Sequence, residues 1–377
     1  MDLQALINLS RKYGSDPEFV LGGGGNTSFK QGNKMYVKAS GNALGDISRE
    51  GFVGIDLPAL NKIWKTEYPS DPAEREERAL KDLMDARLPE DRDKRPSVET
   101  LMHGLIPETY IAHTHPALIN GVTCARKGAE TVRDLFSGRA AWVPLVNPGY
   151  VLANKVREVT HTFEEETGRF PRLIFLQNHG VVAGSRTPEE VEELTDLVVR
   201  RVADKIKREP DLNPAEYDPG KAAEITNIIE EVFQNRGEER TAAFITNREI
   251  KRLVKNKESA EPVSSAYSPD HIVYAGHEPA WIGEQGDCRK AVEEEIDSYI
   301  RRNGNPPKII LVQNLGAFAA GGNRKMTRLA RELFLDAVKI AVYSESFGGH
   351  RFMPKDQIEF IRNWEVEKYR ENISKKE

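Results

Sequence analysis

The sequence predicts an α/β protein built as two related lobes, and three observations carry that reading. Short apolar runs of strand length alternate with amphipathic stretches of helical period. Residues 209–220 hold three prolines, Asn213 and Gly220, a composition that breaks regular structure. Beyond that break the chain echoes itself: Lys308-Ile309-Ile310-Leu311-Val312-Gln313-Asn314-Leu315-Gly316 follows the pattern of Arg172-Leu173-Ile174-Phe175-Leu176-Gln177-Asn178-His179-Gly180. The expected lobes are residues 1–210 and 211–377.

Residues 2–13 place Leu3, Leu6, Ile7 and Leu9 on one side of a first helix. A glycine-rich turn, Gly22-Gly23-Gly24-Gly25-Asn26-Thr27-Ser28, opens a strand-like stretch from Phe29 to Ala39, and Ser40-Gly41-Asn42-Ala43-Leu44-Gly45 forms a second turn. Residues 71–95 are dense in charge and read as an exposed helix. Pro96 can begin a helix, with Val98, Leu101, Met102, Leu105 and Ile106 as its buried stripe. That places Glu99 in the first turn, where the helix dipole favours a carboxylate.

Ile111-Ala112-His113-Thr114-His115-Pro116 reads as a strand stopped by proline. A proline-marked segment follows at Val143-Pro144-Leu145-Val146-Asn147-Pro148-Gly149, then a helix over 151–167. Leu173–Leu176 suits a buried strand, and Val181-Val182-Ala183 continues it after the Asn-His-Gly break. Thr187-Pro188-Glu189-Glu190 starts a helix expected to run to about Arg208. In the second lobe Tyr274–Ala280 echoes Ile111–Ala117 more weakly. Aligned on the prolines, His113 falls opposite Gly276 and His115 opposite Glu278, while Leu315 replaces His179. On that alignment the second lobe has lost any metal ligands.

The formal net charge of −5 and the lack of a long basic block argue against nucleic acid as a partner. Two cysteines, Cys124 and Cys288, without CxxC spacing argue against a disulfide framework and fit a reducing cytosol. No apolar run approaches the ~20 residues of a membrane span, and the N-terminus has no apolar signal region. The expectation is a cytoplasmic protein with no membrane association.

His113 and His115 are two apart in a strand, so their rings share a face. With His179 from a distant segment they make a three-nitrogen set that leaves a coordination position open, the layout of a catalytic zinc site. Cobalt, nickel or iron would also accept these nitrogens. His103 follows Glu99 by four residues on the same helix face, a position for packing or for support of the ligands. His161, His271, His277 and His350 are read as non-ligands. Taken from the residues alone, Glu99 is either a carboxylate serving the helix dipole or a base beside the metal. The glycine run is either a flexible loop or a cradle whose backbone N–H groups approach a phosphate, with Asn26, Ser28, Ser40-Gly41 and Ser97 as further donors and Lys30 and Lys38 as sources of charge.

Taken together, the glycine loop with Asn26, Ser40-Gly41, Ser97-Val98-Glu99, His113-Thr114-His115-Pro116 and Gln177-Asn178-His179-Gly180 resemble the class II aldolase/adducin amino-terminal family over roughly residues 1–210. The wider text is most similar to the aldolase portion of long bacterial proteins that join this domain to a short-chain dehydrogenase. The dehydrogenase part is expected to be absent, because no second glycine-rich strand-turn-helix follows residue 210. The resemblance implies a three-layer αβα fold around a largely antiparallel sheet, followed here by a degenerate lobe of related fold. It implies His113, His115 and His179 as ligands of a divalent metal, most plausibly Zn²⁺. Glu99 would ligate the resting metal or act as acid/base, and Gly24, Gly25, Asn26, Ser40, Gly41 and Ser97 would hold the phosphate.

The implied reaction is retro-aldol cleavage of a ketose 1-phosphate to dihydroxyacetone phosphate and a short aldehyde. Epimerases and dehydratases share the scaffold, and adducin uses it for binding alone. The small-molecule partner would be a sugar phosphate, and a homo-oligomer is left open. Three positions depart from the family pattern. Val98 stands where many members have a second serine, Gly23 where a threonine is common, and Leu145 where relatives often carry a tyrosine that reaches a neighbouring subunit as proton donor.

Overall fold

The structure is a computed structural model that describes residues 3–284 and 286–364. Asp2, expected to open the first helix, and the last residues of the expected second lobe lie outside that range. The chain divides into two compact units, Met1–Thr123 with Lys127–Lys205, and Cys124–Arg126 with Ile206–Glu377.

The first unit holds seven strands: β1 (Asn26–Gln31), β2 (Lys34–Lys38), β3 (Phe52–Asp56), β4 (Tyr110–Thr114), β5 (Ala140–Val143), β6 (Leu173–Leu176) and β7 (Gly180–Ser185). They form one sheet in the order β3-β2-β1-β4-β7-β6-β5, antiparallel throughout except for the β5–β6 pair. Every residue of β6 and β7 is buried, which explains their unbroken apolar text. One face of the sheet packs Ile111, Val143, Ile174, Leu176 and Val182 against Met102, Leu152 and Val156 of the helices Thr100–Leu105 and Tyr150–Thr167, and against Ile106 just past the first of them. The other face meets the helices Gln4–Gly14, Gly128–Phe136 and Pro188–Ala203, with the ring centres of Phe136 and Phe175 5.2 Å apart and Ser10 Oγ 2.6 Å from Thr27 Oγ1. This is the three-layer arrangement around a largely antiparallel sheet.

Local chemistry explains the element ends. Thr187 accepts a hydrogen bond from the Glu190 N–H, and Pro188 opens the helix it caps. That helix ends at Ala203, short of the expected Arg208. Gly149 has no side chain to cap Tyr150–Thr167, and the buried Glu76 carboxylate takes that role, accepting from the N–H groups of Tyr150 (2.9 Å) and Val151 (3.4 Å). The expected helix start at Pro96 is corrected: Pro96 is bridged to Ala39 in extended form, and the helix begins at Thr100. Glu99 therefore sits immediately before the helix rather than in its first turn.

The second unit holds β8 (Thr241–Ile245), β9 (Ala280–Ile282), β10 (Ile309–Val312) and β11 (Gly316–Gly321) in the order β8-β11-β10-β9. Pair for pair this copies β4-β7-β6-β5: two antiparallel contacts and then a parallel one. The copy extends to the turns. Asn178 and Asn314, at φ 54° and 58°, are the non-glycine residues in the left-handed region among the described residues, and each sits between its paired strands. Asparagine tolerates that region because its short side chain bonds locally. The core packs Ile310, Val312, Phe318 and Ala320 against the helices Pro219–Gln234 and Cys288–Asn303.

The weaker echo is corrected by this topology. Tyr274–Ala275 belongs to a π-helical turn, and β9 begins at Ala280, so that segment corresponds to the approach to β5 and not to β4. The counterpart of β4 is β8. His113 stands opposite Val182, the third residue of β7, and Phe244 stands opposite Phe318, the third residue of β11. The positions matching His113, His115 and His179 are therefore Phe244, Thr246 and Leu315, not Gly276, Glu278 and Leu315.

Candidate metal centre

The site lies where β4 ends, β1 begins and β6 turns into β7. Asn26 is the Cα partner of His113 across the β1–β4 pair, so the glycine loop delivers its asparagine directly beside the first histidine. Gly25 has φ +60°, and a Cβ there would stand 2.8 Å from the His113 carbonyl oxygen, so glycine is required for this approach. Gly180 plays the same part on the other side: a Cβ would stand 2.8 Å from His115 Cδ2.

The three histidines converge. His113 Nε2 lies 2.9 Å from His115 Nε2 and 3.4 Å from His179 Nε2. His113 Nδ1 is 3.0 Å from the Val181 carbonyl, to which it donates its proton, so the Nε2 lone pair faces the other two rings. They are the group with metal-ligand geometry found among the described residues. Glu99 completes the cluster. Its Oε1 stands 3.3 Å from both His113 Nε2 and His179 Nε2, is buried, and accepts no hydrogen bond. A buried carboxylate oxygen and three imidazole nitrogens facing one centre at these distances suit a divalent cation, and the nitrogen donors suit zinc. Burial pushes the Glu99 carboxyl upward, but the positive charge that His113 and His179 carry when protonated outweighs it and holds the group well below the usual carboxylate range.

The other Glu99 oxygen terminates a directional chain. His103 is fully buried, and burial lowers its pKa to about 3, so it is neutral. Ser28 donates to His103 Nδ1 at 2.7 Å, His103 Nε2 donates to Asn26 Oδ1, and Asn26 Nδ2 donates to Glu99 Oε2. Sequence reasoning placed Ser28 and Asn26 among neutral donors to phosphate. The structure turns Ser28 into the interior and commits both polar ends of Asn26 to His103 and Glu99. The period of β1 puts Asn26 and Ser28 on one face, but which element covers that face is set by pairing between distant segments. His103→Leu should keep the metal, lower turnover ~10–100-fold as loss of a ligand-supporting partner does, and cost ~1–3 kcal/mol of stability by orphaning Asn26 Oδ1. Metal analysis together with urea unfolding checks this; an unchanged unfolding midpoint would rule out the chain.

The remaining cradle residues gather nearby. Ser97 Oγ is 3.3 Å from Asn26 Nδ2, and the Ser97 N–H donates to the Lys38 carbonyl at 3.0 Å. The Ser40 N–H donates to the Arg95 carbonyl at 2.7 Å, which ties the Ser40-Gly41 turn to the segment leading to Ser97. Lys38 is buried and its ammonium donates to the Gly23 carbonyl at 2.8 Å and the Gly24 carbonyl at 3.5 Å, so it shapes the glycine loop and places a positive charge behind it. Lys30 is excluded from the cradle: it lies near the far end of β1 and donates to the Ile106 carbonyl. Leu145 offers no phenol, and the Tyr150 ring is engaged with Tyr68 (4.8 Å) and Trp64 (6.3 Å).

A histidine triad with a buried glutamate, set at the end of a mostly antiparallel sheet, defines a candidate metal-dependent enzyme. The chain belongs to the class II aldolase and adducin N-terminal domain family, whose model matches residues 4–203. It is 24% identical over 410 residues to the Bacillus subtilis (strain 168) protein called uncharacterized oxidoreductase YuxG, covering 98% of this chain and 58% of that relative. The chain thus spans little more than half of a longer relative named as an oxidoreductase, in keeping with its resemblance to the aldolase portion of fusion proteins. It is 37% identical over 57 residues to the L-fuculose phosphate aldolase of Methanocaldococcus jannaschii, 15% of this chain and 31% of that protein. Among solved structures, the N-terminal class II aldolase domain of a conserved protein from Thermoplasma acidophilum is 27% identical with a TM-score of 0.47, covering 54% of this chain and 93% of that one. Among the described residues no helix is long and apolar enough to cross a membrane.

Proposed function

We propose that this protein is a metal-dependent aldolase that cleaves a ketose 1-phosphate of the rhamnulose or fuculose type to dihydroxyacetone phosphate and a short aldehyde. The supporting observation is the buried Glu99 Oε1 facing the Nε2 atoms of His113 and His179 at 3.3 Å, beside the glycine loop. His113, His115 and His179 would hold the ion, and a divalent ion bound there supplies a Lewis acid for the ketose oxygens. The N–H groups of Gly25 and Gly41 and the hydroxyls of Ser40 and Ser97 bind the phosphate, with Lys38 contributing charge and Asn26 linking the cradle to Glu99; Gly24, whose N–H donates to the Leu21 carbonyl at 3.0 Å, shapes the loop. Binding the phosphate fixes the sugar so that its reacting carbon meets Glu99. Glu99 rests ionised. In cleavage the hydroxyl of the carbon that becomes the aldehyde gives up its proton as the carbon–carbon bond breaks, the bonding pair passes to the carbon beside the carbonyl, and Glu99, protonated in that exchange, delivers a proton to that carbon; condensation runs the same transfers in reverse. The second unit, whose matching positions carry Phe244, Thr246 and Leu315, is read as a degenerate copy without this chemistry.

A panel of ketose 1-phosphates, followed for both aldehyde release and isomer formation, tests the reading. Aldehyde and dihydroxyacetone phosphate in equal amounts are expected. An isomeric sugar phosphate with no fragments would assign the site to epimerisation, and loss of water without fragments to dehydration.

A further inference from the structure

We propose that the second unit binds a small phosphomonoester in a cavity of its own. The cavity has a volume of about 430 Å³, within the ~300–1,000 Å³ of small-molecule sites. Three cationic side chains reach it from separate elements: Arg240 from just before β8, Lys308 from just before β10, and Arg362 from the helix Lys355–Asn363. No aspartate or glutamate is among its described lining residues. The cations are positioned. Arg240 donates to Glu238 at 2.9 Å with its guanidinium 4.9 Å from the Phe233 ring centre, Arg362 donates to the Asn303 carbonyl, and Lys308 to the Val273 carbonyl. His277 and Tyr299, with ring centres 6.5 Å apart, line a further part of the wall.

The residues lining this cavity differ from those at the matching positions of the first unit. The strands β7 and β11 each run from a glycine through six residues, and Thr187 and Asn323 cap the helices that follow. In that register Lys308 matches Arg172, Gly321 matches Ser185 and Met326 matches Glu190. In the first unit the matching side chains pair with one another: Arg172 donates to Glu190 Oε2 at 2.9 Å and to Ser185 Oγ. In the second unit the hydroxyl has become Gly321 and the carboxylate Met326, and both of these now line the cavity. Removing a carboxylate and a hydroxyl while gathering three cations makes a site for an anion. Donors converging from three elements suit a group with three acceptor oxygens and up to two negative charges more closely than a planar carboxylate, which one guanidinium can satisfy.

The test is hydrogen exchange on the full chain, read at residues 271–277 and 321–326, where protection reports this cavity and not the cradle of the first unit. Inorganic phosphate and glycerol phosphate are compared with malate and with sodium chloride at equal ionic strength. The two phosphates should slow exchange in both segments, malate and chloride much less. Met326→Glu, which restores the first unit's carboxylate, should weaken phosphate protection about tenfold or more, as a like charge placed beside the ligand does. Arg362→Gln should weaken it in the same sense, and it carries the comparison if Met326→Glu does not fold. Absence of protection in the wild type, or protection unchanged in the folded variants, would overturn the site, and equal protection by malate would overturn its assignment to a phosphomonoester.

Discussion

Glu99→Gln is expected to retain the metal and lose ~10²–10⁴ in turnover, the contribution of one positioned acid/base group. The substitution keeps length and branching, so the Asn26 Nδ2 bond to the retained carbonyl oxygen survives, and with it the chain through His103 and Ser28. What it removes is the capacity to exchange a proton at the oxygen that faces His113 and His179. In barrier terms the loss is ~3–5 kcal/mol. Binding of the phosphate should change little, because the cradle's other groups are untouched, so the defect should appear in kcat rather than KM. Steady-state kinetics with metal content measured on the same sample decides the matter. Activity within about twofold of wild type would move the acid/base role to another group, since no positioned catalyst contributes so little.

The chemistry of the site was legible where it depended on neighbours in the chain. His113 and His115 were legible as a pair because extended chain has period two; His113 lies in β4 and His115 one residue past its end, where its N–H donates to the Phe19 carbonyl at 3.0 Å. His179 was legible through the buried run Leu173–Leu176 before it, which predicted a break at Asn178-His179-Gly180. The hairpin echo of 172–180 and 308–316 was legible for the same reason: both segments are fully buried strands, and burial on both faces leaves little freedom in the text.

What depended on side-chain direction or on pairing between distant segments was not legible. Asn26 and Ser28 carry no mark that distinguishes a phosphate donor from a link to His103; only the pairing of β1 with β4 brings them under that ring. The start of the helix after Pro96 moved to Thr100 because Pro96 is held by Ala39, a contact that local propensity does not encode. The match of β8 to β4 was hidden because Thr241-Ala242-Ala243-Phe244-Ile245 keeps none of the polar residues that mark Tyr110-Ile111-Ala112-His113-Thr114. Proline and histidine spacing drew the alignment to Tyr274–Ala280 instead. The strand order of the second sheet matches β4-β7-β6-β5, and the positions in register with His113 and His179 hold Phe244 and Leu315.

His113→Ala should abolish stoichiometric metal binding, and the loss should be visible without any substrate. His113 is fully buried, and its Nδ1 bond to the Val181 carbonyl aims Nε2 at the other two rings. Neither His115 nor His179 can replace it, because two imidazoles and one carboxylate held by the same rigid sheet end cannot move inward to close the gap. Zinc added to metal-free wild type should raise the unfolding midpoint, since a ligand at a hundredfold excess over its Kd adds ~2.7 kcal/mol to the folded state. The same addition to His113→Ala should give a shift close to zero. Comparing the shift on adding zinc, and not the midpoints themselves, separates lost coordination from the cavity that truncating a buried ring leaves behind. A full zinc-dependent shift in the variant would remove His113 from the ligand set. The wild type should also bind one ion per chain and not two. The second unit keeps the hairpin that carries His179 in the first, but places Leu315 at its turn and Phe244 on the neighbouring strand, and neither side chain can coordinate. Two ions bound per chain with comparable affinity would show that the copy had kept a centre of its own.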